Sequence, residues 1–362
     1  MHAFQTSQKH VISNFLGSKL RHKKIICILF LFLFILFCTW DQLIFSLYVY
    51  KVPTGLNCYK DQQKDLAVLT VPDYKVPPNS IFFVETSCRH DEGIDISKRQ
   101  ACAYESAAKV HPDSEILVLF PSPISLGTQS TLVTELLKYP NIKLVHIDME
   151  KYFSDTPLED FYKQGKLEKS YWPKSHASDA LRYLTLWRYG GTYLDSDIVM
   201  IRPINTMENF AGAESKTDIA AGFLNFNISG VNGRQLADEM IHEIKNNFRG
   251  WDWGYNGPGV VSRVLRRICN EENVLRMTPE KCKGFTVFPP SAFYPISWRN
   301  WRMYFNEHVS QMFLDQLGES FGIHVWNMHS SKTPVKVGSR MPYSVFASKF
   351  CPRVYSVVGD YL

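Results

Sequence analysis

Beyond residue 80 the chain alternates short apolar runs with stretches of helical spacing. Residues 81–84, 115–120 and 142–148 are strand-length and rich in Ile, Leu, Val and Phe. Between them, 99–110 is alanine-rich and stops short of Pro112, and 130–138 has helical periodicity. Strands alternating with helices predict parallel βαβ units and an α/β fold. Residues 51–79 are polar and carry Pro53, Pro72, Pro77 and Pro78, which predicts a stem. Further upstream, 25–40 is apolar and uncharged, and after Asp41 and Gln42 the apolar run resumes through Tyr50. A bilayer core takes about 20 helical residues, so 25–50 predicts one transmembrane helix.

Charge orients that helix. Lys9, Lys19, Arg21, Lys23 and Lys24 lie in 1–24 with no acidic residue, which accounts for the net charge of +5. Positive flanks stay cytosolic. The chain therefore reads as a cytoplasmic tail (1–24), a signal anchor (25–50), a stem (51–79) and a lumenal catalytic domain (80–362), a single-pass type II arrangement. A cleaved signal peptide is the alternative, but its charged region would be long and no small-x-small site follows Trp40. The body after the tail has balanced charge, so no nucleic-acid partner is expected. Cys58, Cys88, Cys102, Cys269, Cys282 and Cys351 follow the span without zinc-site spacing, predicting up to three disulfides in an oxidising lumen. The expected pairs are the short-range ones, Cys88–Cys102 and Cys269–Cys282. Asn227-Ile228-Ser229 is a glycosylation sequon.

The stretch from Ser175 to Asp197 carries the candidate chemistry. Ser178 suits a helix N-cap, and Gly190 and Gly191 suit its end. Ala180, Tyr183, Leu184 and Trp187 form one apolar stripe, and Asp179 and Arg182 share a face three residues apart. Thr192-Tyr193-Leu194 then predicts a short strand that delivers Asp195-Ser196-Asp197 at its carboxyl end, where ligands of open α/β sheets collect. Two carboxylates at a turn suit a divalent cation and the phosphates of a substrate. A bare Asp-x-Asp is otherwise a solvated turn, and Asp179 with Arg182 an ordinary surface ion pair.

The segment SDALRYLTLWRYGGTYLDSDIVMIRP resembles the DxD sugar-transferase signature. RQACAYESAAKVHP, GYNGPGVVSRVLRRIC, FPPSAFYPISWRNW, GIHVWNMHSS and CPRVYSVVGDYL resemble the α-1,4-galactosyltransferase branch of the α-1,4-glycosyltransferases. The resemblance runs from about Ile81 to Leu362. It implies a GT-A fold (a Rossmann-like mixed sheet flanked by helices), a UDP-sugar donor, Mn²⁺ or another divalent cation, and retention of anomeric configuration. It places Asp195 and Asp197 as the catalytic, metal-binding pair, with Asp179, Arg182 and Tyr193 at the donor. His324 is the candidate third metal ligand or a phosphate contact, and Trp326 could offer its indole N–H to the diphosphate. Asn256 and Gly257, ahead of a helix starting near Pro258, are candidate acceptor or phosphate contacts. Trp251, Trp253, Trp298 and Trp301 read as core or as stacking platforms for acceptor sugars. Leu224-Asn-Phe-Asn-Ile-Ser departs from the more apolar loop of relatives, which bears on the acceptor.

The function expected is transfer of galactose or N-acetylgalactosamine from UDP-galactose or UDP-N-acetylgalactosamine to a glycosphingolipid terminus, at the Golgi membrane. Two alternatives stand beside it: an α-1,4-N-acetylglucosaminyl- or N-acetylgalactosaminyltransferase acting on other glycans, and a catalytically dead sugar-binding or chaperone relative. Sequence spacing names no nucleophile, and it leaves open whether the chain works alone or in an oligomer or enzyme complex.

Overall fold

The computed structural model describes residues 28–30, 32–34, 55–60, 75–90, 93–124 and 130–362. The chain divides into residues 1–53 and a body of residues 54–362. The expected anchor falls almost wholly outside the described residues, among which no helix is long and apolar enough to cross a membrane.

In the body, the apolar runs become β1 (Ile81–Val84), β2 (Ile116–Phe120) and β3 (Ile142–His146). The remaining strands are β4 (Gly191–Leu194), β5 (Ile198–Met200), β6 (Phe210–Ala213), β7 (Ile219–Phe226), β8 (Thr286–Phe288) and β9 (Gly322–His324). The main sheet has the order β3-β2-β1-β4-β7-β6-β8, and β5 pairs with β9 in a separate two-stranded sheet. β1 runs parallel to β2 and β4, and β2 to β3; β7 is antiparallel to both β4 and β6. β1 and β2 are apolar throughout because both faces are covered. Ile81, Phe83, Ile116 and Val118 point into one core, while Phe82, Val84, Leu117 and Leu119 point into the other.

The first core packs α1 (Lys98–Val110) and the C-terminal segments. The second packs α2 (Pro173–Tyr189), α3 (Val231–Asn247) and α4 (Pro258–Cys269). α2 starts six residues earlier than the Ser178 cap predicts: Pro173 sits in the first turn, where its missing N–H costs nothing. Gly190 ends the helix at φ 67°. Gly191 follows at φ 78°, and a Cβ there would lie 2.4 Å from the Ser80 carbonyl oxygen. The bare Gly-Gly therefore lets helix, turn and β4 follow one another without a gap.

Three expectations are corrected. Cys88 pairs with Cys58 and Cys102 with Cys351, whereas Cys269–Cys282 forms as expected. Cys102 meets Cys351 because α1 packs against the C-terminal helices, a proximity that spacing cannot express. Residues 55–60, assigned to the stem, are part of the folded body: Leu56 and Tyr59 are buried, and the Tyr59 hydroxyl donates to the Thr86 carbonyl at 2.7 Å. Leu224–Phe226 belongs to central strand β7 and is no acceptor loop; the Asn225 amide donates to Thr192 Oγ1 at 2.8 Å and accepts from the Asn209 N–H at 2.9 Å. The two hydrogen bonds explain a polar residue in a buried strand.

Gly191→Ala should destabilise the body by about 2–4 kcal/mol, since it combines a positive φ with a backbone clash. Thermal melting checks this; an unchanged midpoint would mean that β4 does not need the close approach to β1.

Candidate active site

β4 belongs to the main sheet and β5 to the small one, so Asp195-Ser196-Asp197 is the turn where the chain changes sheets. The Asp195 N–H is held by the Gly222 carbonyl of β7 at 3.0 Å. Beyond the turn, Ile198 is in register with His324, and the Val325 N–H donates to the Asp197 carbonyl at 3.0 Å. This pairing brings His324 from a distant part of the chain to the two carboxylates. His324 Nε2 lies 3.1 Å from Asp197 Oδ1 and 3.7 Å from Asp195 Oδ2. The other Asp197 oxygen accepts the Asn327 backbone N–H at 2.7 Å.

Three groups with ligand atoms within 4.8 Å of one another form the one candidate metal cluster among the described residues. The donor set fits a divalent cation such as Mn²⁺: two hard carboxylates, one imidazole nitrogen, and room for diphosphate oxygens. Buried His324 Nδ1 has no hydrogen-bond partner among the described residues. Burial disfavours the imidazolium, but Asp197 and Asp195 outweigh it and push the His324 pKa up to about 10. In the metal-free protein this proton therefore occupies the place of a cation.

Beneath the turn lies Arg182. Its side chain is 9% exposed, with one terminal nitrogen 3.1 Å from Asp179 Oδ1 and the other 3.3 Å from Asp195 Oδ1. It also donates to the Ala221 carbonyl at 3.0 Å and stands over the Tyr193 ring at 4.6 Å. The Tyr193 hydroxyl completes the arrangement by donating to Asp195 Oδ1 at 2.9 Å. Burial alone would raise the Asp195 pKa; Arg182 and His324 overcome this and hold it well below the usual carboxylate range. For Asp179 burial prevails over Arg182, and the pKa is pushed up to about 7. The pair is thus internal, which removes the surface-ion-pair reading.

Two glycines shape the carboxylates' surroundings. A Cβ at Gly222 would lie 2.6 Å from Asp195 Oδ2, and one at Gly257 would lie 2.5 Å from Asp179 Oδ1. Asp179, Arg182, Asp195, Asp197 and His324 all border one cavity of about 410 Å³. A larger cleft of about 1040 Å³ beside Tyr59 and His146 gathers lysines, glutamates and Asp148, but no cluster of metal-ligand type.

The "Alpha 1,4-glycosyltransferase conserved region" matches residues 231–358, and the "Glycosyltransferase sugar-binding region containing DXD motif" matches residues 97–215. The human lactosylceramide 4-alpha-galactosyltransferase is 30% identical over 324 residues, covering 87% of this chain and 86% of its own. The chain belongs to the α-1,4-glycosyltransferase family. Human alpha-1,4-N-acetylglucosaminyltransferase is 31% identical over 283 residues, 76% of this chain and 79% of its own. Among solved structures, the galactosyltransferase LgtC with donor and acceptor sugar analogues aligns over 77% of this chain and 96% of its own, at 15% identity and a TM-score of 0.37. As a family member the chain is a UDP-sugar-dependent hexosyltransferase, and its mixed, mainly parallel sheet flanked by helices is GT-A-like.

Within this glycosyltransferase, several residues expected at the donor, the acceptor or the phosphates have their polar groups committed elsewhere. Tyr193 is buried beneath Asp195 and Arg182 and does not border the cavity. Trp326 borders it, but its indole N–H is committed to the Ile296 carbonyl at 2.8 Å, so only the ring faces the site. Asn256 is buried and binds the Arg249 N–H and carbonyl, and Gly257 gives its carbonyl to the Tyr183 hydroxyl; neither borders the cavity. Pro258, the first residue of α4, does.

Sequence reasoning missed Glu214, Gly222, Tyr294 and Arg99. Glu214 borders the cavity from the end of β6, with its pKa raised by burial. The Tyr294 hydroxyl accepts the Phe223 N–H at 3.0 Å and so fixes β7 beside Gly222. Buried Arg99 donates to Asn327 Oδ1 at 3.1 Å and to the Ser330 carbonyl at 2.9 Å, bracing the turn whose N–H caps Asp197. Arg99 and Tyr294 lie within the family-like segments RQACAYESAAKVHP and FPPSAFYPISWRNW, but nothing local marks those two side chains; for Gly222, a glycine inside the buried run of β7 was the available signal.

A folded-state pKa of about 7 for Asp179, against 3.8 unfolded, means the native state binds the extra proton. The stability contributed by this group is present below pH 4 and lost as pH rises through 7. Between pH 5 and 7 the loss should be about 2–3 kcal/mol, and Asp179→Asn should remove that slope. Urea unfolding of metal-free protein at several pH values measures it; parallel profiles for the two proteins would contradict the assignment.

Proposed function

We propose that this chain is a retaining, metal-dependent α-1,4-glycosyltransferase. It moves galactose, or N-acetylgalactosamine, from the UDP-sugar to the terminal sugar of a glycosphingolipid. The reading places it in the Golgi membrane as a single-pass type II protein, on the charge asymmetry around residues 25–50. The observation that carries the reaction is the Asp195–Asp197–His324 cluster opening into the cavity that Asp179 also borders. A bound Mn²⁺ would neutralise charge on the departing diphosphate. Asp195, Asp197 and His324 would hold it. Arg182 keeps Asp195 ionised and fixed in direction, so little reorganisation accompanies donor binding. Asp179 offers an acceptor to a hydroxyl of the donor sugar.

A second reading, transfer of N-acetylglucosamine, has its support in the 31% identity to the human α-1,4-N-acetylglucosaminyltransferase. The full chain assayed with UDP-galactose, UDP-N-acetylgalactosamine and UDP-N-acetylglucosamine against a glycolipid panel distinguishes the readings. Turnover of none of these donors would favour a sugar-binding role.

Chelation should abolish turnover and Mn²⁺ restore it. Because the metal displaces the His324 proton, Mn²⁺ affinity should rise by roughly tenfold per pH unit between pH 6 and 8, with proton release on binding. Calorimetry in buffers of different ionisation enthalpy reads the proton directly. Asp197→Asn should lose turnover, and the metal-free variant should also melt lower at neutral pH, because the buried His324 imidazolium loses a charged partner although the amide oxygen still accepts the Asn327 N–H. Affinity that is flat with pH would remove His324 from the ligand set.

Topology has its own check. In sealed microsomes, protease should trim the short tail and spare the body. Degradation of the body without detergent would overturn the type II assignment.

A further inference from the structure

Four tryptophans among the described residues are exposed: Trp172 at 36%, Trp251 at 64%, Trp253 at 43% and Trp298 at 42%. Three of them, Trp251, Trp253 and Trp298, were expected in the core or as stacking platforms for acceptor sugars. Two of the four border the donor cavity, and the other two lie within three residues of ones that do. Trp253, Trp298 and Met328, the last 64% exposed, border the donor cavity itself. Trp172 lies three residues before Ser175, another bordering residue, and the Tyr171 N–H donates to the Gly250 carbonyl at 2.9 Å, joining this segment to Trp251. Trp172 and Trp251 do not border the cavity, so stacking on a sugar inside it does not account for them.

Charge separates this rim from the rest of the body. In segments 171–174, 249–253, 298–303 and 328–332, the exposed cations are Lys174, Arg249, Arg299, Arg302 and Lys332, against Asp252 alone. The body as a whole is balanced, so the excess is local. Arg299 stands over Trp298 at 5.2 Å and Arg302 over Trp301 at 4.6 Å, so cation and ring are presented together. Water does not favour such a surface: soluble monomers seldom gather large apolar side chains in one place. A lipid headgroup region does favour it, because indoles partition to the interface and cations meet acidic headgroups.

We propose that this rim is a membrane-docking surface, which seats the mouth of the donor cavity on the headgroup layer of a lipid bilayer. A sugar projecting from that bilayer then meets the cavity without leaving the membrane. The inference rests on the glycolipid reading for its acceptor, but docking itself is measurable without turnover.

The test uses the full chain reconstituted in nanodiscs of phosphatidylcholine with phosphatidylserine, some carrying acyl chains brominated near the headgroup. Tryptophan emission should be quenched, and Trp172→Phe/Trp251→Phe should remove a large part of the quenched fraction. Arg299→Gln/Arg302→Gln should weaken docking by about 25-fold, roughly fivefold per charge, and raised salt should act in the same direction. Turnover of a bilayer-embedded acceptor should fall in that variant, while a water-soluble acceptor with the same sugars is used within about twofold of wild type. Quenching that is identical in wild type and Trp172→Phe/Trp251→Phe overturns the proposal. Equal losses on both acceptors in Arg299→Gln/Arg302→Gln also overturn it, since the rim would then grip the sugar itself. If neither acceptor is used, the glycolipid reading fails, and the quenching still decides whether the rim docks.

Discussion

A single buried guanidinium organises the site. Arg182 comes from the middle of α2, yet it reaches Asp179 on its own helix, Asp195 on the turn after β4, and the carbonyl of Ala221 on β7. A buried cation without partners would be prohibitive, so these acceptors are obligatory, and each fixes one element against the others. The arrangement also divides two carboxylates by environment. Asp195 is held ionised between Arg182 and His324, whereas more deeply enclosed Asp179 is raised toward neutral pH. Carboxylates with different proton affinities in one cavity suit one to a cation and the other to a neutral hydroxyl.

The backbone makes this packing possible. Gly191 lets β4 lie against the Ser80 carbonyl, Gly222 leaves room for the Asp195 carboxylate, and Gly257 does the same for Asp179. In each case a methyl group would occupy space already taken by oxygen. The switch from main sheet to small sheet then sets the direction of the two aspartates, because β5 must leave β4 to pair with β9. His324 follows from that register, and Arg99 secures the turn that comes after it. The C-terminal segments are thereby part of the site, and Cys102–Cys351 fastens them to α1.

Local signals made much of this legible from sequence. The apolar runs became β1 to β3, Gly-Gly ended α2, and Asp195 and Asp197 emerged at the end of a short strand. Such features depend on neighbours within a few residues, and periodicity or turn chemistry records them directly. His324 was identifiable only because a family resemblance pointed to the chain's last part. Where the reasoning failed, the missing quantity was burial or long-range proximity. Tyr193, Trp326 and Asn256 carry the right chemistry for a donor site but use it on Asp195, Ile296 and Arg249.

The sequence by itself therefore determined the βαβ alternation, the position of the acidic turn, and the family to which its motifs belong. Only the tertiary structure decided that Asp179 and Arg182 are internal, that Cys102 meets Cys351, and that Trp253 and Trp298 stay exposed while bordering the cavity. The physical reason is common to all three. Hydrophobic spacing reports which face of an element is covered, but not what covers it; partner identity is set when strands choose their order and helices settle on the two faces of the sheet.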